Sequence, residues 1–377
     1  MAKYKLGDIV TLLNGRAYLM PELQDSGKYR ILRVGNLSGG NDSWYYSDME
    51  LDENKYCENG DLLYAWACNF GPHIWREEKV IYHYHIWKLV ENKEKVDRTY
   101  LYYYLLHQTP FYLGGVNGAT MVHITKKNME KKTVYIPSSL NVQHRIASIL
   151  STYDTLIENN AKRIRLLEKM AENLYKEWFV RFRFPGHENV EMENGLPKGW
   201  KRGSLSDVCE FKRGKNITSS EMQEGNVPVI SAGLEPSGYH SCSNVKGVNV
   251  TMSSSGANAG YIAIHYSDIW AADCSYIEES TTGNIYYVYE LLNNIRTVIN
   301  NFQRGAAQPH VYPKDVNRIK LILPSKELML KANGRLEIMH KEIYNLQKQN
   351  SLLARQRDLL LPRLMSGKLE VKEELLE

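Results

Sequence analysis

Two stretches of the chain carry apolar residues at alternating spacings of four and three positions. The first stretch runs from Ile146 to Trp178 and the second from Leu336 to Leu364, at an offset of 186 residues. Repetition over four or more heptads predicts two long helices that meet along a coiled-coil seam. The alternative is two separate amphipathic helices, each packed on its own domain, but a sustained 3.5-residue period favours the seam.

Each predicted seam includes a polar position. If the helices pair antiparallel with full overlap, the residue numbers of facing partners add up to about 510, which brings Asn160 close to Asn350. A buried polar pair of this kind fixes the register of two helices at some cost in stability. The predicted seam residues are Leu150, Ile157, Asn160, Ile164, Leu167 and Leu174 in the first helix, and Leu336, Ile343, Leu346, Asn350, Leu353 and Leu360 in the second.

Outside these stretches, short runs rich in Val, Ile, Tyr and Trp are broken by Gly, Asn and Ser. Residues 80–82 and 227–230 are examples, and such runs predict strands bounded by turns. Shorter helices are expected around residues 97–108 and 284–300. The predicted fold class is α+β, with two similar globular domains separated by two long helices that pair as an antiparallel coiled coil, in a pseudo-two-fold symmetric arrangement.

The chain also repeats itself. Residues 118–138 match residues 305–325 at an offset of 187, and six of the 21 aligned positions are identical. An earlier match, of residues 6–9 with residues 205–208, has an offset of 199. The first half therefore carries about twelve extra residues in its middle. We interpret the repeat as a duplication in which the scaffold is shared and the loops differ.

These patterns divide the chain into six segments. Residues 182–198 are polar and rich in turn-forming residues, which is typical of a linker. The predicted segments are a first domain at 1–139, a central long helix at 140–181, the linker at 182–198, a second domain at 199–325, a C-terminal long helix at 326–367 and a tail at 368–377.

Composition narrows the function classes. The chain has 377 residues and a formal charge of +4, which neither demands nor excludes a polyanionic partner. No apolar run is long enough to span a membrane, and the N-terminus lacks the apolar core of a signal peptide. The five cysteines are scattered, without a C-x-x-C pair, so neither a disulfide framework nor a zinc knuckle is expected. We expect a cytoplasmic protein without a membrane association.

The sequence shows no catalytic motif. It contains no P-loop, no glycine-rich cofactor loop after the first strand, no Asn-Pro-Pro-Tyr-like run for methylating adenine and no nucleophile elbow. His83 and His85 lie two positions apart on a predicted strand, but no third metal ligand is obvious. We therefore expect a non-catalytic protein with no cofactor and no metal.

Several segments carry a resemblance to a known family. The most specific is residues 359–369, LLLPRLMSGKL, and the others are residues 143–150 (QHRIASIL), 196–200 (LPKGW) and 305–309 (GAAQP). Together they resemble the DNA-specificity subunit of type I restriction–modification systems, over nearly the whole chain. The first half departs from the pattern because it lacks the L-P-x-G-W opening and has Ala119-Thr120-Met121-Val122 where the second has Ala306-Ala307-Gln308-Pro309. Its loop chemistry and target half-site should differ accordingly.

The resemblance implies a function in binding and scaffolding. In this family two target-recognition domains each read one half of a bipartite site in double-stranded DNA, and the long helices act as spacer and as dock for methyltransferase subunits. The implied partners are DNA, two methyltransferase subunits and, in a complete restriction system, ATP-dependent restriction subunits. A seam of this length spans roughly 50 Å, which suits two domains at opposite ends that read half-sites one to two turns of B-DNA apart.

A DNA reader needs cations for phosphates, and amides or forked donors for base edges. Short basic turns, small amide-bearing loops and the segments after the two Gly-Ala pairs supply such groups, although each could equally be a solvated turn, a strand connection or a packing segment. The predicted DNA-binding residues are Arg16, Asn69, His73, His123, Lys126 and Lys127 in the first domain, and Lys212, Arg213, Lys215, Asn258, Arg304, Gln308 and His310 in the second.

Two other functions remain open from the sequence. A coiled-coil protein-interaction adaptor without DNA specificity would explain the helices equally well, but it explains duplication with loop divergence less naturally. A self-contained restriction enzyme would require a catalytic motif that the sequence does not show.

Overall fold

The computed structural model describes residues 1–37, 43–113, 124–305 and 308–371. The chain divides into two units. The first unit combines Met1–Glu158 with Ser351–Glu377, and the second spans Asn159–Asn350. Each long helix therefore contributes one part of its length to each unit.

The first unit contains a four-stranded antiparallel sheet, a second four-stranded sheet and a two-stranded ribbon. Its strands are β1 (Ala2–Lys5), β2 (Val10–Asn14), β3 (Tyr29–Leu32), β4 (Tyr45–Ser47), β5 (Tyr56–Cys57), β6 (Leu62–Ala65), β7 (Gly71–Ile74), β8 (Val80–Tyr82), β9 (Ile86–Glu91) and β10 (Thr133–Ile136). Its helices are α1 (Val34–Leu37), α2 (Arg98–Leu113), α3 (Lys126–Glu130) and the start of α4 (Leu140–Tyr175). The strand orders are β2-β9-β6-β7, β4-β3-β8-β5 and β1-β10.

The second unit repeats this plan. Its strands are β11 (Met192–Glu193), β12 (Leu196–Pro197), β13 (Lys201–Ser204), β14 (Lys212–Arg213), β15 (Val227–Ile230), β16 (Gly238–His240), β17 (Asn249–Ser253), β18 (Ile262–His265), β19 (Trp270–Ala271), β20 (Cys274–Glu278) and β21 (Lys320–Leu323). Its helices are α5 (Glu279–Thr282), α6 (Ile285–Asn294), α7 (Arg296–Asn300), α8 (Pro313–Val316) and most of α9 (Lys326–Met365). The strand orders are β14-β20-β17-β18, β16-β15-β19, β13-β21 and β11-β12.

Most strands of the two units correspond, although in the described residues β5 of the first unit and the hairpin β11-β12 of the second have no counterpart. The sheet β2-β9-β6-β7 corresponds to β14-β20-β17-β18, and both are antiparallel throughout. The parallel strand pair of the first unit, β3 with β8, recurs as β15 with β19 in the second. The first and last strands of each domain also pair, β1 with β10 and β13 with β21. The duplication predicted from the sequence is therefore also present in the topology.

The shorter helices pack on these sheets. Helix α2 extends five residues beyond the predicted end of 108, because its Tyr and Leu side chains bury themselves in the core of the first unit. In the second unit the predicted helix at 284–300 is divided into α6 and α7, with the break at Ile295. The predicted linker contains the small hairpin of β11 and β12. None of the helices in the described ranges is both long and apolar enough to cross a membrane.

Within each unit the two long helices pair antiparallel. In the first unit the guanidinium of Arg357 forms an ion pair with Asp154. In the second unit Arg163 and Glu342 form an ion pair at 2.7 Å, and the amide of Asn160 donates to Oε1 of Gln349 at 3.4 Å. The residue numbers of these partners add up to between 505 and 511, close to the predicted 510.

The predicted register, which brings Asn160 close to Asn350, agrees with these contacts to within one residue. The partner of Asn160 is Gln349 rather than Asn350, because the longer Gln349 side chain reaches across from the flank of the seam. The amide oxygen of Asn350 is buried and has no hydrogen-bond partner among the described residues. The two asparagines are one position out of register, well within a helical turn.

The structure places the predicted seam residues between the helices and the domains. Leu150, Leu336, Ile343 and Leu346 are fully buried, and Asn160 is nearly so. The remaining predicted seam residues, which are Ile157, Ile164, Leu167, Leu174, Asn350, Leu353 and Leu360, are half-buried. Helix α4 ends at Tyr175 in a π-helical turn, Lys176–Val180, and α9 ends at Met365.

Candidate nucleic-acid interface

In the first unit, three loops meet at one end of the sheet β2-β9-β6-β7. The backbone N–H of Arg16 donates to the carbonyl of Tyr82 at 3.0 Å, and that of Tyr84 donates to the carbonyl of Arg16 at 3.0 Å. The N–H of Trp66 donates to the carbonyl of His85 at 3.1 Å. These bonds join residues 14–16, 66–69 and 83–85 into one surface, which we call the first loop edge.

The second unit builds the same edge. The N–H of Gly214 donates to Cys274 at 2.8 Å, and that of Lys215 donates to Ala271 at 2.9 Å. The Ser255 hydroxyl donates to the carboxylate of Asp273. Residues 213–215, 254–258 and 272–273 thus form a second loop edge at the end of β14-β20-β17-β18.

In each loop edge, the loop after the first strand of the sheet crosses close over a neighbouring backbone segment, and a glycine makes this crossing possible. A Cβ atom on Gly15 would lie 2.4 Å from the carbonyl oxygens of both His83 and Tyr82, and one on Gly214 would lie 2.4 Å from that of Ala272. No side chain tolerates such contacts, so the loop after the first strand can cross only with glycine at this position. The sequence placed these glycines in basic turns, and the structure adds a steric reason for them.

Aromatic and imidazole rings cover the first loop edge. The indole N–H of Trp66 donates to the carbonyl of Tyr84 at 2.8 Å, and its ring packs edge-on against His85 at 5.0 Å. Burial lowers the pKa of His83 to about 4, with smaller contributions from His85 and Arg33. Burial also lowers the pKa of His85. Both imidazoles are therefore neutral at pH 7, and they offer hydrogen bonds rather than positive charge.

Arg16, predicted as a phosphate contact, is already paired in the first loop edge. Its guanidinium donates to both carboxylate oxygens of Glu22, at 2.7 and 3.1 Å, and lies 5.2 Å from the Tyr18 ring centroid. The hydrogen bonds from Arg16 lower the pKa of the Glu22 carboxyl. A phosphate would have to compete with this carboxylate for the guanidinium.

The second loop edge carries three exposed cations. Lys212, Arg213 and Lys215 are all exposed. The Lys212 ammonium is 3.9 Å from Glu278, and within the described part of the chain no ion pair involves Arg213 or Lys215. Long exposed cations beside a flat sheet end are suited to phosphate contacts.

The structure places the other predicted residues of the first domain as follows. Asn69 is exposed within the first loop edge, while His73 is half-buried inside β7, where burial lowers its pKa. Lys126 and Lys127 are exposed in the first turn of α3, two and three residues after Ile124, whose N–H donates to the carbonyl of Trp66. His123 lies outside the described residues.

In the second domain, the segment after the Gly-Ala pair joins the loop edge. The N–H of Gly256 donates to Pro309, and Arg304 and His310 exchange two backbone bonds at 2.8 and 2.9 Å. The Arg304 side chain is exposed but forms an ion pair with Asp315 at 2.9 Å. Asn258 is half-buried at the edge, and Gln308 is exposed next to Pro309 in the chain. Sequence reasoning therefore named groups that the fold brings together here.

Sequence reasoning missed the aromatic side of the first edge. Trp66 and Tyr84 were not predicted, although an aromatic residue at the end of a strand and before an amide-bearing loop is a usable signal. It also missed Asp273, whose carboxylate orients Ser255.

The space between the two sheets differs between the units. In the first unit, Leu63, Ala65 and Trp75 fill this space as part of one apolar cluster. At the corresponding positions of β17 and β18, the second unit has Thr251, Ser253 and His265. These three side chains line a cavity of about 180 Å³, and Oγ1 of Thr251 lies 2.8 Å from Nε2 of His265.

In the ranges that the structure describes, no group of three or more His, Cys, Asp or Glu side chains could hold a metal ion. The rings of His83 and His85 are 4.8 Å apart but have no third partner of that kind in these ranges.

Comparisons with known proteins agree with this architecture. The MjaIX specificity subunit of a type I restriction enzyme from Methanocaldococcus jannaschii is 27% identical over 307 residues, which cover 74% of this chain and 71% of that protein. A putative type I specificity subunit of Mycoplasma genitalium, S.MgeORF438P, is 26% identical over 275 residues, 72% of this chain and 71% of that protein.

The fold has a counterpart among solved structures. The S subunit of a type I restriction–modification system from M. genitalium superposes with a TM-score of 0.66 and 21% identity, covering 96% of this chain and 95% of that one. None of these relatives supports the alternative of an adaptor without DNA specificity. The family described as "Type I restriction modification DNA specificity domain" matches residues 1–169 and 197–350, and since these ranges make up most of the chain, the protein belongs to that family.

Proposed function

We propose that this chain reads a bipartite sequence in double-stranded DNA, with one half-site bound by each loop edge. The observation that carries the proposal is the recurrence of one glycine-centred sheet end in both units with different side chains around it. A shared backbone surface with divergent side chains is what a protein needs to read two different short sequences with one scaffold. The predicted recognition domains, residues 1–139 and 199–325, each contain one such edge.

The two edges favour different contacts. In the second, the cations of residues 212–215 can neutralise phosphates, while Asn258 and the serine hydroxyls can reach base edges. In the first, Asn69 and the neutral imidazoles can exchange hydrogen bonds with bases, and Trp66 adds an aromatic surface. The two half-sites should therefore differ in sequence and in their share of the phosphate contacts.

Each unit also exposes apolar side chains along one flank of its helix pair. With the seam residues at heptad positions a and d, these exposed side chains occupy positions g and c. Positions g and c neighbour each other on a helix surface. The ion pair between Arg163 and Glu342 joins a g position on one helix to a g position on the other, so the flank is shared. We call this surface the apolar flank, and its residues are Ile149, Leu156, Leu352 and Leu359 in the first unit and Leu166, Met170 and Ile338 in the second.

The recognition domains contact the opposite side of the helices. Asp154 and His340, both at position e, form hydrogen bonds with their own domains. In the described part of the chain the apolar flank stays exposed, with Leu352 and Leu359 exposed by 57% and 58%. Exposed apolar patches in a polar surround mark docking sites. Methyltransferase subunits, one for each unit, are the partners that we assign to this flank.

In this proposal the chain itself is not an enzyme. It fixes the place on DNA at which a separate methyltransferase flips and modifies a base, and a complete system would add ATP-dependent restriction subunits. All five cysteines are free thiols, which supports a cytoplasmic location.

DNA reading is tested by mapping methylation in cells that express this chain with its methyltransferase. A split motif with a fixed gap is expected, and replacing residues 1–139 by those of a relative should change one half only. A change in both halves would contradict reading by separate domains. Binding of the complex to its motif should weaken roughly 10³–10⁵-fold between 50 and 200 mM salt if six to ten phosphates are contacted.

Docking is tested by Leu352→Arg, which places a charge on the apolar flank. We expect loss of co-purification with the methyltransferase, since a cation desolvated in an apolar interface is unfavourable. Thr155→Arg, at an exposed position outside the flank, is the matched control and should leave the complex intact. Retention of the methyltransferase by Leu352→Arg would exclude this surface.

A further inference from the structure

Each recognition domain is fastened to its helix pair by a buried polar cluster. In the first unit, the hydroxyl of Tyr103 on α2 donates to Asp154 on α4, whose other oxygen accepts from Arg357 on α9. In the second unit, Nε2 of His340 on α9 lies 3.1 Å from Oε1 of Glu290 on α6. We call these the first and second polar clamps.

The second clamp has a further member. The hydroxyl of Tyr266, just after β18, is 2.9 Å from Nδ1 of His340. The rings of Tyr286 and Tyr289 flank the imidazole at 5.3 and 5.4 Å. Both nitrogens of His340 are thus held by the recognition domain, one by its sheet and the other by its helix.

The two clamps occupy equivalent places although their chemistry differs. Asp154 and His340 are 186 residues apart and share heptad position e, while Tyr103 and Glu290 are 187 residues apart. These are the offsets of the long helices and of the duplicated segments. A polar contact is therefore kept at the same point of both units, as Tyr–Asp–Arg in one and Tyr–His–Glu in the other.

The second clamp is centred on a buried pair, His340 and Glu290, and in the first clamp Tyr103 is buried while Asp154 and Arg357 are half-buried. Tyr103 and His340 are each 2% exposed and Glu290 is 6% exposed, and burial is the main reason why the pKa of Tyr103 is raised. Apolar side chains lie beside both clamps, Leu150 in the first unit and Ile343 in the second. Apolar contacts are non-directional, whereas a hydrogen bond weakens steeply when its partners shift by a few tenths of an ångström or turn. Together with the hydrogen bonds of Gln143 to residues 95–97 and 137 in the first unit, and of Asn333 to residues 286–287 in the second, the clamps are the directional part of each interface.

We propose that the polar clamps are positioning residues that determine how many base pairs separate the two half-sites. This inference rests on the proposed bipartite reading. One base pair advances the duplex by about 3.4 Å, so a domain that serves a gap longer or shorter by one base pair must move about that far. A hydrogen bond of 2.9–3.1 Å does not survive such a shift. The clamps therefore hold each loop edge at one place on its own stretch of helix, and an intact clamp rejects the wrong gap.

The test measures binding by the full chain with its methyltransferase. Three duplexes carry the same half-sites with the native gap, one base pair fewer or one more. Tyr103→Phe removes a single hydroxyl and leaves Asp154 paired with Arg357. The double variant Glu290→Leu/His340→Leu removes both partners of the His340–Glu290 pair in the second clamp, so that no buried charge is left unpaired.

We expect the wild type to prefer the native gap, and each variant to lose about tenfold of that preference while its affinity for the native gap changes less than threefold. The single variant Glu290→Gln keeps an acceptor for His340, so it should keep the wild-type preference for the native gap. An unchanged preference, or an equal loss of affinity on all three duplexes, would overturn the inference. Tyr103→Phe decides the matter if the double variant does not fold, and a wild type indifferent to the gap would instead refute the bipartite reading itself.

Discussion

The first loop edge surrounds its glycine with Trp66, Tyr84 and two neutral imidazoles, and the guanidinium of Arg16 is bound by Glu22. The second loop edge surrounds the equivalent glycine with exposed cations, serines and an amide. The backbone crossing beneath them is the same. The comparison teaches that duplication preserved the part of the surface that sterics dictate and left the side chains above it free to change.

The most direct test of this comparison is to replace the glycine that both loop edges share. Gly214→Ala places a Cβ 2.4 Å from the Ala272 carbonyl, and forcing the chains apart costs about 1–3 kcal/mol. We expect about a hundredfold weaker binding to duplexes that carry the second half-site. Gly15→Ala should do the same for the first half-site.

The matched control for these variants is Gly334→Ala. Gly334 lies within α9, and an added Cβ there meets nothing within 4 Å. It should leave DNA binding unchanged and raise stability by about 0.5–1 kcal/mol through the helix propensity of alanine. Equal DNA binding by Gly214→Ala and Gly334→Ala would refute the role of the crossing.

The second prediction concerns charge. Lys212→Ala/Arg213→Ala/Lys215→Ala removes three exposed cations, so affinity should fall roughly tenfold and the slope of log K against log salt should decrease by about 2.7. Arg16→Ala, which removes a cation already paired with Glu22, should change the slope by less than about 1. Lys246→Ala, at the other end of β17 and paired with Asp268, is the control. Similar slopes for the triple variant and the control would count against phosphate contacts at the second edge.

The third prediction concerns the space between the two sheets of each unit, which is apolar in the first unit and contains His265 in the second. Burial lowers the pKa of His265 to about 4, below its ordinary value of 6.5. The unfolded state therefore binds the proton more readily, and stability is complete above pH 6.5 and lost as the pH falls towards 4. We expect the second unit to lose about 2 kcal/mol between pH 7 and pH 5 through this group.

Urea unfolding at both pH values measures this effect. His265→Phe should reduce the acid sensitivity of the second unit, because the corresponding residue of the first unit is the non-titrating Trp75. An acid response unaffected by this substitution would show that other groups govern it.

The smallest expected effect comes from Glu22→Gln. The variant removes the carboxylate charge that competes with phosphate for Arg16, and ion pairs open to solvent contribute little because water screens them. DNA affinity should rise about threefold, and titration of the first half-site alone would measure it. A fall in affinity would mean that Glu22 orients Arg16 for binding rather than withholding it.

The long helices and their pairing could be predicted because their signal is local. Apolar residues repeat every 3.5 positions, and this spacing alone implies a partner helix. The predicted register was correct to within one residue, and its error came from Gln349, a flanking side chain whose reach no pattern reveals. The duplication was equally visible, because identities such as His123 with His310 recur at a fixed offset.

The candidate site was predictable only in part. Small basic turns and amide loops signalled residues 14–16, 69, 212–215 and 258, since such groups suit phosphates and bases. The pairing of Arg16 with Glu22 could not be inferred, because the geometry that lets the two side chains meet is set by strands far apart in the chain. The polar clamps were even harder to predict from the sequence, because Glu290 and His340 meet only after a sheet and a helix have packed.

By itself the sequence determined the periodic elements, the repeat and the absence of recognisable catalytic motifs, all of which are written in neighbouring or regularly spaced residues. Only the tertiary structure decided which cations are free, which imidazoles are neutral and which glycines permit a crossing. The physical reason is that charge availability, pKa and steric clearance depend on groups brought together from distant parts of the chain, and burial sets their strength only once the core has formed.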